Sequence, residues 1–180
     1  SWLVPLLAID ALAVAGVLLG MQWNDPHTII SGALRIDNLT VAMGLICIVG
    51  TAVAVVLSMR SDTEGTVGAG EYHSLLVFTV LGMVVLIAAN DLVTLFAGFE
   101  LLSIPLYVLC ATELRRERSL EAGLKYLIVG SVGSATLLYG SALLYGASGS
   151  TSFDVIAAHL PTLGMLGDPL LLAGVAMIVV

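Results

Sequence analysis

HSLLVFTVLGMVVLIAAN (residues 73–90) and DLVTLFAGFELLSIPLYVLCAT (residues 91–112) are two apolar runs that follow one another without a loop. Each is close to the roughly 20 apolar residues that a helix needs to cross the hydrocarbon core of a bilayer. Open loops and unpaired strands do not occur in lipid, because every backbone polar group there must be hydrogen-bonded within the protein. The two runs therefore predict a pair of transmembrane helices joined by a very tight turn.

The composition of the chain also indicates a membrane protein. Its 180 residues are 59% hydrophobic and only 11% charged, and the mean hydropathy is +1.08. A soluble domain has about 25% charged residues, and one of this size could not hide so much apolar surface from water. The net charge of −7, with six Lys and Arg residues, excludes a nucleic-acid partner. Soluble enzymes and disordered segments are excluded as well.

The predicted fold class is all-α, a polytopic bundle of about six transmembrane helices in one domain over residues 1–180. The chain opens without Met and closes in an apolar run, so we interpret it as a fragment of a longer chain. Ser61–Gly70, which is rich in acids and glycine, is expected to be a flexible linker. The six predicted helices cover 2–22, 38–59, 73–90, 91–112, 120–146 and 165–180.

Two helix starts carry a capping signal. Asp91 is a good N-cap for the helix over 91–112. Ser119 is predicted to cap the next helix, which places Glu121 in its first turn, where the helix dipole favours an acid.

A short amphipathic segment precedes the last predicted helix. Thr151–Leu160 predicts a surface helix at the membrane interface, with Phe153, Ile156 and Leu160 on one side. The alternative interpretation is an ordinary loop.

The basic residues are distributed unevenly between the two predicted faces of the bundle. Only Arg35 falls on one face, and the other five are expected on the opposite face, which the positive-inside rule makes cytoplasmic. Those five are Arg60, Arg115, Arg116, Arg118 and Lys125.

Glu100 is the most informative residue, because it is an acid in the middle of an apolar run. It follows Asp91 by nine residues, which places it roughly 13 Å deep in a core about 30 Å thick. An ionised carboxylate there must face the protein interior, pair with a cation or take up a proton. These requirements favour a proton-transfer site. The alternative is a structural carboxyl group that is hydrogen-bonded within the bundle.

Pro105 and Ser103 lie beside Glu100 in the same predicted helix. Proline has no N–H for the carbonyl of Leu101, so the helix is expected to bend or open there. The freed carbonyl and the Ser103 hydroxyl could hold water next to the carboxylate. Proline is also common in membrane helices without any special role.

Lys125 is the second candidate, about six residues into its predicted helix. Glu121 precedes it by four residues and is expected to pair with it. Lys125 either biases nearby carboxylates and relays protons, or is a snorkelling lysine at the interface. It is roughly 8 Å from Glu100 in depth, so direct contact is not expected. Asp10, inside the first helix, is a weaker candidate for a buried functional acid.

The remaining reactive residues form no recognisable site. Cys47 and Cys110 sit in apolar runs and are interpreted as small buried hydrophobic residues. His27, His73 and His159 have no metal-ligand spacing, and the sequence contains no nucleotide or haem motif. No cofactor or metal is therefore expected on this chain.

The stretch from Tyr72 to Ile156 resembles subunit N of the bacterial proton-pumping NADH–quinone oxidoreductase, respiratory complex I. This family consists of antiporter-like membrane subunits. The resemblance is carried by four motifs in order: ANDL at 89–92, FELLSIPLY at 99–107, RSLEAGLKY at 118–126 and LYGSALLYG at 138–146.

The resemblance implies an inverted-repeat antiporter-like fold in the bacterial inner membrane, with two five-helix repeats and discontinuous helices. Glu100 then corresponds to the family's buried glutamate and Lys125 to its sixth-helix lysine. The family's central lysine would come just after Val180. Redox energy released elsewhere in the complex would change the charge on buried Glu/Lys pairs and drive protons across the membrane.

The implied partners are the neighbouring membrane subunits, the lipid bilayer and protons. NADH, FMN, iron–sulfur clusters and quinone would be bound by partner subunits. One alternative is a subunit of a multisubunit cation/proton antiporter or of a membrane-bound hydrogenase. Another is a structural or assembly module that conducts no ions.

Overall fold

The structure is a computed structural model, and it describes residues 2–59, 68–163 and 168–179. Five helices in these ranges, α1 to α5, are long and apolar enough to cross a membrane, which confirms the predicted all-α class. The elements in chain order are α1 (Leu3–Gly20), β1 (His27–Ile29), β2 (Leu34–Ile36), α2 (Asn38–Ser58), α3 (Ala69–Ala88), α4 (Leu92–Cys110), α5 (Glu117–Ser148), α6 (Phe153–Leu163) and α7 (Pro169–Val179).

The last predicted transmembrane helix is described only in part. α7 begins at Pro169, not at 165, and the Asp168 side chain accepts a hydrogen bond from the backbone N–H of Leu170 at 2.9 Å. Proline suits the first turn of a helix because its missing N–H has no partner there in any case. Residues 165–167 and 180 lie outside the described ranges, as do Arg60 and most of the predicted linker Ser61–Gly70.

The predicted start of the fifth helix is wrong. α5 begins at Glu117 with Arg116 in the N-cap position, so the acid in its first turn is Glu117 and not Glu121. Ser119 lies inside the helix, and its hydroxyl donates to the backbone carbonyl of Cys110 at 2.8 Å. The serine therefore ties the start of α5 to the end of α4 and does not cap its own helix.

The predicted helix is confirmed as α6, so the alternative of an ordinary loop is wrong, and its place at the membrane interface stays a prediction. α6 begins at Phe153 and continues through Pro161 to Leu163. Its Ile156 is only 7% exposed and belongs to an apolar cluster with Leu92, Leu144 and Leu171. This cluster holds α6 across the ends of α4, α5 and α7.

A two-stranded hairpin between α1 and α2 was not predicted. β1 and β2 pair antiparallel, with His27 opposite Ile36. Ile30, Ser31 and Gly32 all have positive φ in the turn, a conformation that only glycine adopts freely. Three-residue strands are too short to show a two-residue period, so this hairpin has no usable signal in the sequence.

Asn90 joins the hairpin to the tight turn between α3 and α4. Its backbone N–H donates to the carbonyl of Ala33 at 2.9 Å, and its side-chain amide donates to the carbonyl of Gly32 at 3.0 Å. Its own carbonyl accepts from the N–H of Phe153, the first residue of α6. We call this end of the bundle the hairpin end. It contains residues 21–37, 89–91 and 149–152, and the α4–α5 turn lies at the opposite end.

α3 and α4 form an antiparallel pair whose backbones touch. A Cβ atom at Gly82 would lie 2.3 Å from the backbone nitrogen of Leu102, and one at Gly98 would lie 2.7 Å from that of Leu86. Small residues allow this close approach, which is a common basis of helix association in membranes. The contacts leave almost no freedom for α4 to slide or rotate on α3.

The close α3–α4 contact predicts that a single added methyl group lowers the stability of the fold considerably. Gly82→Ala should lower the free energy of unfolding by about 1–3 kcal/mol, because the helices must separate. Gly133→Ala is the control, since its Cβ position has no atom of another described helix within 4 Å. The free energy of unfolding of each variant is measured by unfolding the purified chain in mixed detergent micelles. Equal stability of the two variants would contradict the close packing.

Asp37 caps α2 and predicts a pH-dependent stability. Its carboxylate accepts from the backbone N–H of Thr40 at 2.8 Å and from the Thr40 hydroxyl at 2.9 Å. These hydrogen bonds, aided by Arg35, hold the pKa of Asp37 below its ordinary value of 3.8. A lowered pKa means that the charged form stabilises the fold at neutral pH, and that this contribution is lost as the pH falls below about 4.

Asp37→Ala should therefore cost about 1 kcal/mol at pH 7, as for other N-caps. Asp37→Asn keeps an acceptor and should cost less. The stability gap between the native chain and Asp37→Asn should be nearly constant from pH 7 to about 4.5 and should narrow as the pH is lowered further, to about 2.5. A gap that is constant with pH in thermal unfolding would show that the charge of Asp37 has no role.

Candidate functional site

The candidate site is built on α4, and Asp91 fixes where that helix starts. One carboxylate oxygen of Asp91 accepts from the backbone N–H groups of Val93 and Thr94, both at 2.8 Å, and the other accepts from the Thr94 hydroxyl at 2.7 Å. The predicted N-cap is confirmed. Glu100 lies nine residues further on, roughly 13 Å along the helix axis, near the middle of a membrane-spanning segment.

Glu100 lies between the two points at which α4 touches α3. Gly98 precedes it by two residues, and Leu102 follows it by two. The carboxylate is therefore presented from a rigid part of the backbone. Its side chain is partly buried within the chain. Within the described ranges, no residue donates a hydrogen bond or forms an ion pair with it.

Lys125 lies near the start of α5 and is paired with its own helix. Its ammonium nitrogen is 2.5 Å from a carboxylate oxygen of Glu121, one turn earlier, as predicted from their spacing. Both side chains are exposed, with relative accessibilities of 71% and 60%. The structure therefore shows an exposed Glu–Lys pair within α5.

Glu100 and Lys125 are not brought together. α4 and α5 run antiparallel, with Ala111 against Gly123 and the ring of Tyr107 packed edge-on against Tyr126 at 4.8 Å. Lys125 lies between Gly123 and Tyr126 in the sequence. It is therefore level with the part of α4 between Tyr107 and Ala111, which is further from Glu100 than Tyr107 is. Tyr107 is seven residues from Glu100, a separation of about 10 Å along the axis.

The neighbours of Glu100 on α4 are buried polar residues. Ser103 is 6% exposed and Tyr107 is 8% exposed. α4 continues as one helix through the buried Pro105 to Cys110. Because proline has no N–H, the carbonyl of Leu101 receives no hydrogen bond from residue 105. In the sequence, Tyr107 is notable only as part of the FELLSIPLY motif at 99–107. Its spacing of seven residues from Glu100, which puts both on one helix face, was the signal that could have found it.

Other candidates are placed outside this site. Asp10 is exposed on α1, and Cys110 is exposed at the end of α4. The interpretation of Cys110 as buried is therefore wrong, because the last turn of α4 turns this residue away from α5. His73 is buried, where its ring nitrogens lie near the carbonyl of Ala69 and the hydroxyl of Ser58. Among the residues that the structure describes, no cluster of three potential metal ligands occurs.

Comparison with known proteins supports the resemblance inferred from the motifs. The family model described as NADH:quinone oxidoreductase/Mrp antiporter, transmembrane, matches residues 89–180, just over half of the chain. The chain is 42% identical over 162 residues to NAD(P)H-quinone oxidoreductase subunit 2 of Synechococcus sp. strain CC9902, covering 89% of this chain and 31% of that protein. It is 39% identical over 175 residues to NADH-quinone oxidoreductase subunit N of Azorhizobium caulinodans, covering 96% and 37% respectively.

A solved structure has the same arrangement of helices. A chain of respiratory complex I from Thermus thermophilus with bound aureothin superposes with a TM-score of 0.78 at 31% identity. The alignment covers 98% of this chain and 36% of that one. The chain thus spans about a third of the length of the relatives it matches.

Proposed function

Because this chain belongs to the transmembrane NADH:quinone oxidoreductase/Mrp antiporter family, we propose that it is part of a proton-translocating membrane subunit of an NADH–quinone oxidoreductase. The observation that carries this proposal is the position of Glu100. A carboxylate stands at mid-depth of a membrane-spanning helix, on backbone fixed by α3, without a partner among the described residues. Intramembrane acids of this kind mark ion pathways by default.

The proposed mechanism is electrostatic. Glu100 changes its charge state when a neighbouring basic group, contributed by another part of the full-length subunit, gains or loses a proton. Moving one charge against a membrane potential of 100 mV requires about 2.3 kcal/mol. A change in one poorly solvated ion pair is large enough to supply that energy. The role of the protein is to hold Glu100 close enough to the basic group for its charge state to respond to that group.

Lys125 is proposed as the proton donor and acceptor on the loop side of the same helix pair. Its ion pair with Glu121 is an exposed i,i+4 pair, of a kind that stabilises a helix by only about 0.2–0.5 kcal/mol. Lys125 can therefore leave Glu121 at little cost. A lysine held this weakly is able to change partner during turnover.

We propose that the end of the bundle opposite the hairpin faces the cytoplasm of a bacterium, in its inner membrane. Arg115, Arg116 and Arg118 lie at or next to the α4–α5 turn at that end, and Lys125 lies two turns into α5. The hairpin end has Arg35 on β2. This distribution follows the positive-inside rule.

In this proposal the redox chemistry lies in other subunits. NADH, FMN, iron–sulfur clusters and quinone are bound by partner subunits, and neighbouring antiporter-like subunits flank this one in the lipid bilayer. The second candidate is a subunit of a multisubunit cation/proton antiporter, which the family description also includes. Glu100 has the same proton-transfer role in either machine.

Glu100→Gln in the full-length subunit tests the proposal in intact membranes. Gln keeps the shape of the side chain but cannot take up or release a proton, so NADH oxidation and the proton gradient should both fall by about tenfold or more. Glu117→Gln is the matched control, because Glu117 is exposed at the start of α5 and should leave both rates unchanged. Assembly is checked by electron transfer from NADH to a soluble artificial acceptor.

The result has three clear outcomes. Loss of both rates with normal assembly supports the oxidoreductase function. Normal NADH-driven pumping in Glu100→Gln would show that the carboxyl is structural. A membrane that has no NADH-driven gradient, but exchanges cations for protons in a Glu100-dependent manner, would support the antiporter.

A further inference from the structure

Asp10 is an exposed acid in the middle of α1, a helix long and apolar enough to span the membrane. It lies about 10 Å along the axis from the start of the helix at Leu3, and about 15 Å from the end at Gly20. Among the residues that the structure describes, none forms a hydrogen bond or an ion pair with its carboxylate. The side chain is too short to reach either end of the helix.

The opposite side of α1 is already occupied by the bundle. Ala8 and Leu12 are 7% and 3% exposed, and they belong to one apolar cluster with Ile48 of α2 and Val80 of α3. Asp10 is two residues from each of them, a rotation of roughly 160° about the helix axis. The carboxylate therefore points away from α2 and α3, and it cannot turn inward unless α1 separates from both helices.

This outward side of α1 is unsuited to face lipid. Ionised side chains in contact with acyl chains are costly, and acids within transmembrane helices almost always face protein or a water-filled cavity and pair with another group. Lipid headgroups lie beyond the ends of the helix, so they cannot supply that group at the depth of Asp10. The complementary charge must come from protein that packs against α1.

An apolar groove runs beside Asp10, between α1 and α3. Its volume is 380 Å³, and its lining includes Leu7 of α1 and Val77, Phe78 and Leu81 of α3. Leu7 precedes Asp10 by three residues, so the two side chains are neighbours on the surface of α1. The large side chains of the lining are half exposed or more at Leu7, Phe78 and Leu81. The groove therefore offers apolar contact area directly next to the carboxylate.

The same side of α1 allows another helix to approach closely. Ala11 and Ala15 are exposed and continue the row that starts at Leu7, at a spacing of four residues. Small residues at this spacing are typical of contacts between transmembrane helices. The polar residues of the groove, His73 and Ser74, are already bonded to backbone carbonyls of α3. The surface thus fits an apolar helix with one complementary charge.

We propose that α1 and the α1–α3 groove bind a transmembrane helix of a neighbouring subunit, and that this helix presents a basic side chain to Asp10. The proposal rests on the proposed function, which places the chain in a multisubunit complex. α1 packs on α2 and α3, whereas α5 and α7 pack together beyond α4. Asp10 therefore lies on an outer flank of this bundle, where an adjoining subunit makes contact. A lysine, arginine or histidine at mid-depth supplies the charge that retains the aspartate there.

Asp10→Asn in the full-length subunit of the intact complex tests the charge pair. Asparagine keeps the shape of the side chain but leaves the basic group of the partner unpaired. The fraction of the subunit that stays bound to its neighbours after detergent extraction should fall by roughly tenfold. Asp25→Asn is the matched control, because Asp25 is exposed outside the spanning helices and should leave this fraction unchanged. Native retention of Asp10→Asn would overturn the basic partner.

A photoreactive phenylalanine analogue at position 14 identifies what covers this surface. Val14 is 59% exposed and lies one turn after Asp10 on the same side of α1. The expected product on irradiation of intact membranes is a crosslink to another subunit, and Asp10→Asn should lower its yield about fivefold or more, in line with the lost retention. A crosslink confined to the same polypeptide, or to lipid, would overturn the proposal.

Two further variants keep the test decisive if Asp10→Asn is absent from the membrane. Asp10→Leu makes α1 more apolar and should insert normally, so its loss from the complex, with restored retention in Asp10→Glu, supports the charge pair. Native retention of Asp10→Leu would overturn it. Both readouts are independent of proton transfer. Native pumping by Glu100→Gln would overturn the proposed function, whereas retention and crosslinking report on the contact at α1.

Discussion

The direct contact between the backbones of α3 and α4 is the constraint on which the rest of the fold depends. Gly82 and Gly98 allow the two helices to touch over about one turn, and a three-residue connection leaves them no other arrangement. In a membrane the close fit of small residues replaces the hydrophobic effect as the force that joins helices. α5 then packs on the other side of α4. The depth of Glu100 is therefore fixed by its neighbours on both sides.

Directional bonds between separate elements are concentrated at the ends of the helices. Asn90 alone joins the hairpin, the α3–α4 turn and the start of α6, and Ser119 joins α5 to α4 at the opposite end. Between these ends the helices touch mainly through apolar groups and glycines. The buried polar side chains of α2 to α5 are few, and most of them bond to the backbone of their own helix, as Thr79 and Ser141 do, because a polar group inside a membrane segment is retained only where it is satisfied or used.

Much of this architecture could be predicted from the sequence, because it depends on local rules. Apolar run length located the five spanning helices, Asp91 showed the pattern of an N-cap, and the spacing of Glu121 and Lys125 predicted their pair. The errors arose where tertiary contacts decide. Ser119 has the residue type of a cap, but its hydroxyl has a better acceptor in the neighbouring helix. Cys110 lies in an apolar run, yet only the rotation of α4 determines that it is exposed.

The separation of Glu100 from Lys125 could not be predicted in detail, because it depends on the α4–α5 register. It has a consequence for the proposed mechanism. Glu100 and Lys125 are separated by at least about 10 Å along the axis, and two unit charges at that distance interact by at most roughly 1.7 kcal/mol at an effective dielectric constant of about 20. That energy is comparable with the roughly 2.3 kcal/mol needed to move one charge against 100 mV. Two groups at this distance can therefore influence each other's charge without touching. A proton that moves between them still needs a chain of hydrogen-bonded groups or water molecules. Electrostatic coupling and proton transfer are thus separate requirements, and the distance between Glu100 and Lys125 bears only on the first.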